Sequence, residues 1–142
     1  MSNRVRKFRN LTLFGLISLL IALVFGLCYR EVQAWLYPIR TPVQPLSDES
    51  PFIEVAFQTE DDLTIYGWYT PPDSGQVILM LHGHTGTRDH FMVHSDYLIE
   101  AGYGVLAIDF RNSGDSDGDI TSMGYYEIRD ARAAYDFLLT QD

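Results

Sequence analysis

Twenty consecutive residues, 10–29, carry no charge, and the run 11–28 reads LTLFGLISLLIALVFGLC. At about 1.5 Å rise per residue, a helix of that length crosses the roughly 30 Å hydrocarbon core of a bilayer. A secretory signal has a shorter apolar region, about 7–15 residues. Arg4, Arg6, Lys7 and Arg9 precede the run, Arg30 follows it, and Trp35 and Tyr37 stand just beyond. Basic residues on the N-terminal side predict a cytoplasmic N-terminus, and the aromatic residues predict an interfacial anchor. The expected arrangement is a basic cytoplasmic tail over 1–10, a single-pass transmembrane anchor over 11–29, and the remainder on the extracytoplasmic side. Two processed forms compete with it. One is a signal peptide cleaved after Val32-Gln33-Ala34; the other is a lipoprotein signal ending at Cys28, where Leu27 is bulky for such a site.

Charge divides the chain at the same place. Residues 1–30 hold five basic residues and no acid, whereas residues 31–142 hold all 19 acids and five arginines, a net charge of −14. A segment this acidic repels phosphate, which argues against a nucleic-acid partner. One cysteine, Cys28, rules out a disulfide framework and a cysteine zinc site. At 142 residues and 46% hydrophobic content the chain holds at most one folded domain.

Four of the six prolines fall in residues 38–51, so 30–51 is expected to be an extended Pro-rich linker. Residues 52–58 then alternate, with Ile53, Val55 and Phe57 on one face. Glu60-Asp61-Asp62 reads as a turn and residues 63–69 alternate again, which predicts an antiparallel hairpin. Val77-Ile78-Leu79-Met80-Leu81 is apolar on both faces, the pattern of a strand covered on both sides in a parallel sheet. A helix is expected over 89–101, closed by Gly102, then a second buried strand over 105–108. The last helix is expected over 125–139, with Ile128, Ala131, Tyr135 and Leu138 on its core face. A hairpin followed by two strand–loop–helix units predicts an α/β fold in which function sits at the carboxyl ends of the parallel strands. Those ends are the loops 82–87 and 109–119.

The first loop reads His82-Gly83-His84-Thr85-Gly86-Thr87. Its glycines let the backbone turn sharply at the sheet edge, where N–H groups near a helix start suit a developing oxyanion. No phosphate-binding P-loop pattern is present, and Gly83-x-x-Gly86 is only a fragment of the dinucleotide fingerprint. A catalytic metal held by His82, His84, Asp89 and His90 is the rival use, although Asp89 stands three residues too far along for the usual strand-end ligand set. The second loop holds Gly114-Asp115-Ser116-Asp117-Gly118, a literal G-x-S-x-G. Three features oppose Ser116 as a nucleophile. A nucleophile elbow places its serine directly after the strand, two aspartates flank Ser116, and all four histidines precede it where the triad order needs one after it.

The segments VILMLHGHTG (77–86), GYGVLAIDFR (102–111) and Gly114-x-Ser116-x-Gly118 together resemble the α/β-hydrolase family, within it the membrane-anchored or exported serine hydrolases of lysophospholipase or serine-aminopeptidase type. The resemblance covers residues 52–142 and implies the first two antiparallel strands, the His-Gly strand, the first helix, the next strand and the second helix. Asn112 departs from it where the family usually has Gly. The resemblance implies that the backbone N–H of His84 forms half of the oxyanion hole, with Gly83 permitting the turn and His82 holding the loop. It also makes the Ser116 loop a structural feature and places the nucleophile elbow after one further strand beyond the helix 125–139.

Residues 52–142 are therefore expected to be a partial α/β-hydrolase domain. No nucleophile, triad acid or triad base is expected in this chain, and no cofactor or metal. Its substrate is expected to be a small ester or amide, turned over only with the remainder of the domain. Two readings of other classes stand beside it: a metal-dependent hydrolase built on the His82/His84 loop, and a non-catalytic membrane-tethered module that pairs through an open strand edge.

Overall fold

The computed structural model describes residues 3–141, so Met1 and Ser2 of the expected tail and Asp142 of the expected domain lie outside it. The chain divides into two compact units, residues 1–36 and 37–142.

The first unit is one helix, α1 (Asn3–Leu36). Its 34 residues extend about 51 Å at 1.5 Å each, more than a bilayer core needs. Its apolar side chains are exposed around the whole circumference, from Phe8 and Leu11 to Phe25 and Leu27. A helix apolar on every side has no stripe for a soluble core, and α1 is long and apolar enough to cross a membrane. It continues through Leu36, past residue 29 where the span was expected to close.

The second unit is a four-stranded mixed sheet in the order β1-β2-β4-β3. Strands β1 (Ile53–Gln58) and β2 (Thr64–Thr70) pair antiparallel, from Ile53↔Tyr69 to Gln58↔Thr64. Their turn is closed by Thr59, whose N–H donates to the Leu63 carbonyl at 2.9 Å and whose hydroxyl accepts from the Leu63 N–H at 3.0 Å. Strand β3 (Val77–Leu81) pairs parallel with β4 (Gly104–Ile108), and β4 pairs antiparallel with β2.

Alternation along the strands sorts the core into two faces. Ile65, Tyr69, Leu106 and Ile108 point to one and meet Ala134 of α3 (Glu127–Leu138). Trp68 and Val105 point to the other and meet Met92, Leu98 and Ile99 of α2 (Met92–Glu100). Strand β4 is buried throughout. Strand β3 forms the open edge expected of a partial domain, but its faces, expected to be covered on both sides, leave Ile78 and Leu81 partly exposed.

The helix expected over 89–101 begins with a 3₁₀ turn (Arg88–Phe91) and becomes α-helical at Met92. It ends in a Schellman pair, Gly102 N–H to the Ile99 carbonyl and Tyr103 N–H to the Leu98 carbonyl, both 2.9 Å, with Gly102 at φ +86°. The core face expected of the last helix is overturned in part: Leu138 packs against the core, but the face centres on Asp130, Ala134 and Phe137. Ile128 and Tyr135 are exposed, and the buried positions are Glu127, Asp130, Ala133 and Ala134. Asp130 is drawn inward by Arg111, and Ala134, Phe137 and Leu138 continue the same face onto the sheet, with Phe137 stacked on Phe57 and edge-on to Tyr69.

The segment expected to be an extended linker is also partly packed. Val43 and Leu46 join the Phe52/Trp68/Val105 cluster. The Arg40 guanidinium donates to the Ser116 carbonyl at 2.8 Å, to the Gly118 carbonyl and to Asn112 Oδ1.

A candidate active-site cleft at the ends of β3 and β4

The loop after β3 is pinned at its base by His82. The Phe110 N–H donates to His82 Nε2 at 3.0 Å, so Nδ1 carries the proton and donates to the Gly83 carbonyl at 2.7 Å. The ring also meets Phe110 edge-on at 5.1 Å. Burial pushes the His82 pKa down, in keeping with a neutral ring engaged at both nitrogens. Gly86 closes the turn by donating to the Gly83 carbonyl at 3.0 Å, and a Cβ there would collide with His82 Cβ. Thr85 takes φ +62°, a left-handed conformation. At Gly83, by contrast, a Cβ would meet open space.

Gly83, His84 and Thr85 line a cleft of about 320 Å³ together with Phe110, Met123 and Glu127. Glu127 accepts from the Ser122 N–H and hydroxyl, each at 2.6 Å, and from the Gly124 N–H at 2.7 Å. Burial alone would raise its pKa, but these donors outweigh it and hold the carboxylate below its ordinary value.

The loop after β4 is saturated by internal bonds. Ser116 is fully buried; its hydroxyl donates to the Asp109 carbonyl at 2.8 Å and accepts from the Tyr66 N–H at 2.9 Å. A hydroxyl committed to two backbone groups has no geometry for attack, so the letters G-x-S-x-G here describe a turn. Asn112, standing where the resemblance has Gly, takes φ +58°, a left-handed conformation that Asn tolerates.

Two buried ion pairs hold this loop. Asp109 bonds the Arg88 N–H at 2.7 Å and its guanidinium, which also reaches Asp115 at 2.7 Å and Glu54 at 3.0 Å and lies over the Trp68 ring at 5.0 Å. Burial pushes the Asp109 carboxyl up against the opposing pull of Arg88. Arg111 clasps Asp130, with the Arg111 N–H at 2.9 Å and Nη2 at 2.8 Å, and reaches Asp61 at 2.9 Å. The Arg111 hydrogen bonds hold the Asp61 carboxyl well below the usual range.

The residues of the metal reading are not brought together as ligands. Both His82 nitrogens are taken by backbone groups, His90 Nδ1 accepts from the Thr87 N–H at 3.0 Å, and Asp89 accepts from the Thr87 hydroxyl at 2.5 Å. Among the described residues no group of three His, Cys, Asp or Glu side chains has metal-binding geometry. Sequence reasoning missed Glu127 and Met123 at the cleft. The Ser122–Glu127 spacing near a helix start was the available signal, but the apolar pattern pointed to the opposite face of α3.

The sheet order, the two strand-end loops and the flanking helices are those of an α/β-hydrolase, and the chain carries the N-terminal portion of that fold. The structure is similar to the Pyrococcus furiosus esterase Pf2001, with a TM-score of 0.56 and 33% identity, covering 72% of this chain and 42% of that one. In sequence the chain is 28% identical to the uncharacterized protein Rv2307c of Mycobacterium tuberculosis, over 96% of this chain and 50% of that one. It is 35% identical to the lysophosphatidylserine lipase ABHD12 of Gallus gallus, over 47% of this chain and 23% of that one. The chain therefore spans about half the length, or less, of the curated relatives it matches. No family model matches it.

Proposed function

We propose that this chain is the anchored N-terminal portion of a serine hydrolase that cleaves a small ester or amide. In this reading α1 crosses the membrane once with its N-terminus in the cytoplasm, and the acidic unit lies outside. The backbone N–H of His84 supplies one donor to the oxyanion, His82 fixes the loop through Phe110, and Gly86, where a Cβ has no room, closes the turn that the resemblance assigned to Gly83. The nucleophile, the triad acid and the triad base come from polypeptide beyond these residues. The observation that carries the reading is the cleft lined by Gly83, His84 and Thr85 at the carboxyl end of a parallel strand. There a preorganised N–H donor stabilises a tetrahedral oxyanion without reorganising during the reaction. Oxyanion stabilisation without an activated serine gives little covalent catalysis, so the loop alone is inactive.

The test is to tag the chromosomal gene at its N-terminus and treat membranes with a fluorophosphonate probe. A labelled, tag-bearing species heavier than 16.2 kDa plus the tag is expected, and a species of 16.2 kDa plus the tag is expected to stay unlabelled. If no tag-bearing species takes label, the reading fails. The exposed edge of β3 favours the second reading, a tethered module that pairs with another chain through this strand. That outcome would appear as a stable complex containing the tag and no labelled species.

A further inference from the structure

The cleft has a second feature that the oxyanion loop does not use. Met123 lines it, is 60% exposed, and takes φ +57°, a left-handed conformation that is unfavourable for an unbranched residue other than Gly, Asn or Asp. Its neighbours on both sides are tied to one carboxylate: Ser122 through its N–H and hydroxyl, and Gly124 through its N–H. The Glu127 side chain thus fixes the residues flanking Met123, and Met123 itself contributes a flexible, polarizable apolar chain to the rim. Phe110, which stacks edge-on against His82, adds an aromatic surface to the same cleft. A strained backbone that holds an apolar side chain at a cleft is a conformation the surroundings must enforce, and such positions cluster at ligand sites.

We propose that Met123 is the specificity-determining lip of this cleft, and that it favours esters whose acyl chain is several carbons long over acetyl esters. The proposal rests on the reading of the cleft as a hydrolase site. Met123 touches the hydrocarbon chain, and Glu127 is a positioning residue that acts through the 122–124 backbone. Each methylene that leaves water against Met123 and Phe110 adds to binding, whereas an acetyl group offers that surface a single methyl.

The experiment uses the full chain in phospholipid nanodiscs, with methyl-labelled methionine and labelled backbone amides, titrated with methyl acetate and with methyl hexanoate. The chain has four methionines, so each methyl signal is assignable. Methyl hexanoate is expected to shift the Met123 methyl saturably, to leave Met80 and Met92 in place, and to bind at least about tenfold more tightly than methyl acetate. Met123→Gly takes up the left-handed backbone without penalty, so the fold should hold while the preference falls to within about twofold. Met123→Gln, similar in length but polar, should lose the preference in the same way. The proposal is overturned if both variants keep it, or if methyl hexanoate moves Met80 or Met92 as much as Met123. A response at Met123 without one at the Gly83 and His84 amides would sink the oxyanion assignment and leave the lip standing. A response at those amides without one at Met123 would do the reverse.

Discussion

The loop after β3 and the loop after β4 leave the same end of one sheet, on adjacent parallel strands, and both are rich in Gly and in residues able to do chemistry. Their construction differs. The 82–87 loop is pinned at its base by His82 and lines a cleft beyond it. The 109–119 loop is bonded throughout, with Ser116 sealed between two backbone groups and Asp109 and Arg111 in buried ion pairs. In the second loop the G-x-S-x-G segment is scaffold and only Phe110, Arg111 and Ser113 reach the cleft wall, whereas the plainer loop borders the cleft with Gly83, His84 and Thr85. A serine motif is therefore read from where its hydroxyl points and not from its letters.

The largest effects should come from breaking the scaffold loop. Arg111→Ala leaves Asp130 buried without its partner, and removing one member of such a pair is destabilising by about 3–5 kcal/mol. Thermal denaturation of the variant should show the sheet unit largely unfolded while α1 keeps its helical signal. Gly114→Ala should also be severe, because φ is +48° and the added Cβ lands on the Asp109 carboxylate. Ser116→Ala strands the Tyr66 N–H and should lower stability by about 1–3 kcal/mol in denaturant titration.

Smaller effects should come from the cleft loop, and they sharpen the contrast. His82 is held neutral with its pKa below the ordinary 6.5. As pH falls through that value the unfolded chain takes up a proton that folded His82 resists, so stability contributed by His82 is complete above about pH 6.5 and lost progressively below it. His82→Gln, whose amide oxygen can still accept from the Phe110 N–H, should flatten this slope between pH 6.5 and 5. Equal slopes in both proteins would show that His82 titrates normally. Gly83→Ala should leave stability within about 0.5 kcal/mol, since its Cβ meets nothing. Any loss of fluorophosphonate labelling when Gly83→Ala is placed in the longer tagged product then reports on the loop's function, whereas Gly114→Ala can report only on folding.

Much of the fold was legible in the sequence because alternation and apolar runs report burial directly. The hairpin, the parallel β3–β4 pair and the Gly102 cap follow from residues 52–69, 77–81 and 102–108. The rotation of α3 was misread, since its core face opens with Glu127, Asp130 and two alanines before Phe137 and Leu138, while Ile128 and Tyr135 face out. An ion pair between Arg111 and Asp130 leaves no periodic trace. The packing of Val43 and Leu46 was hidden for a similar reason: a Pro-rich stretch looks solvated unless its docking site is known. At the site, Gly83 and His84 line the cleft and their roles were given only by the resemblance, while Met123 and Glu127 came only from the geometry. Spacing showed that Ser116 was misplaced for a nucleophile, but only the structure shows what its hydroxyl does.

The most direct test of this division of labour is fluorophosphonate labelling of the N-terminally tagged gene product carrying Ser116→Ala, beside the unmodified protein. The tag-bearing species should label in both, with Ser116→Ala reduced only in proportion to its lower folded fraction. Loss of label in a Ser116→Ala protein that remains folded would make Ser116 the nucleophile and contradict the account.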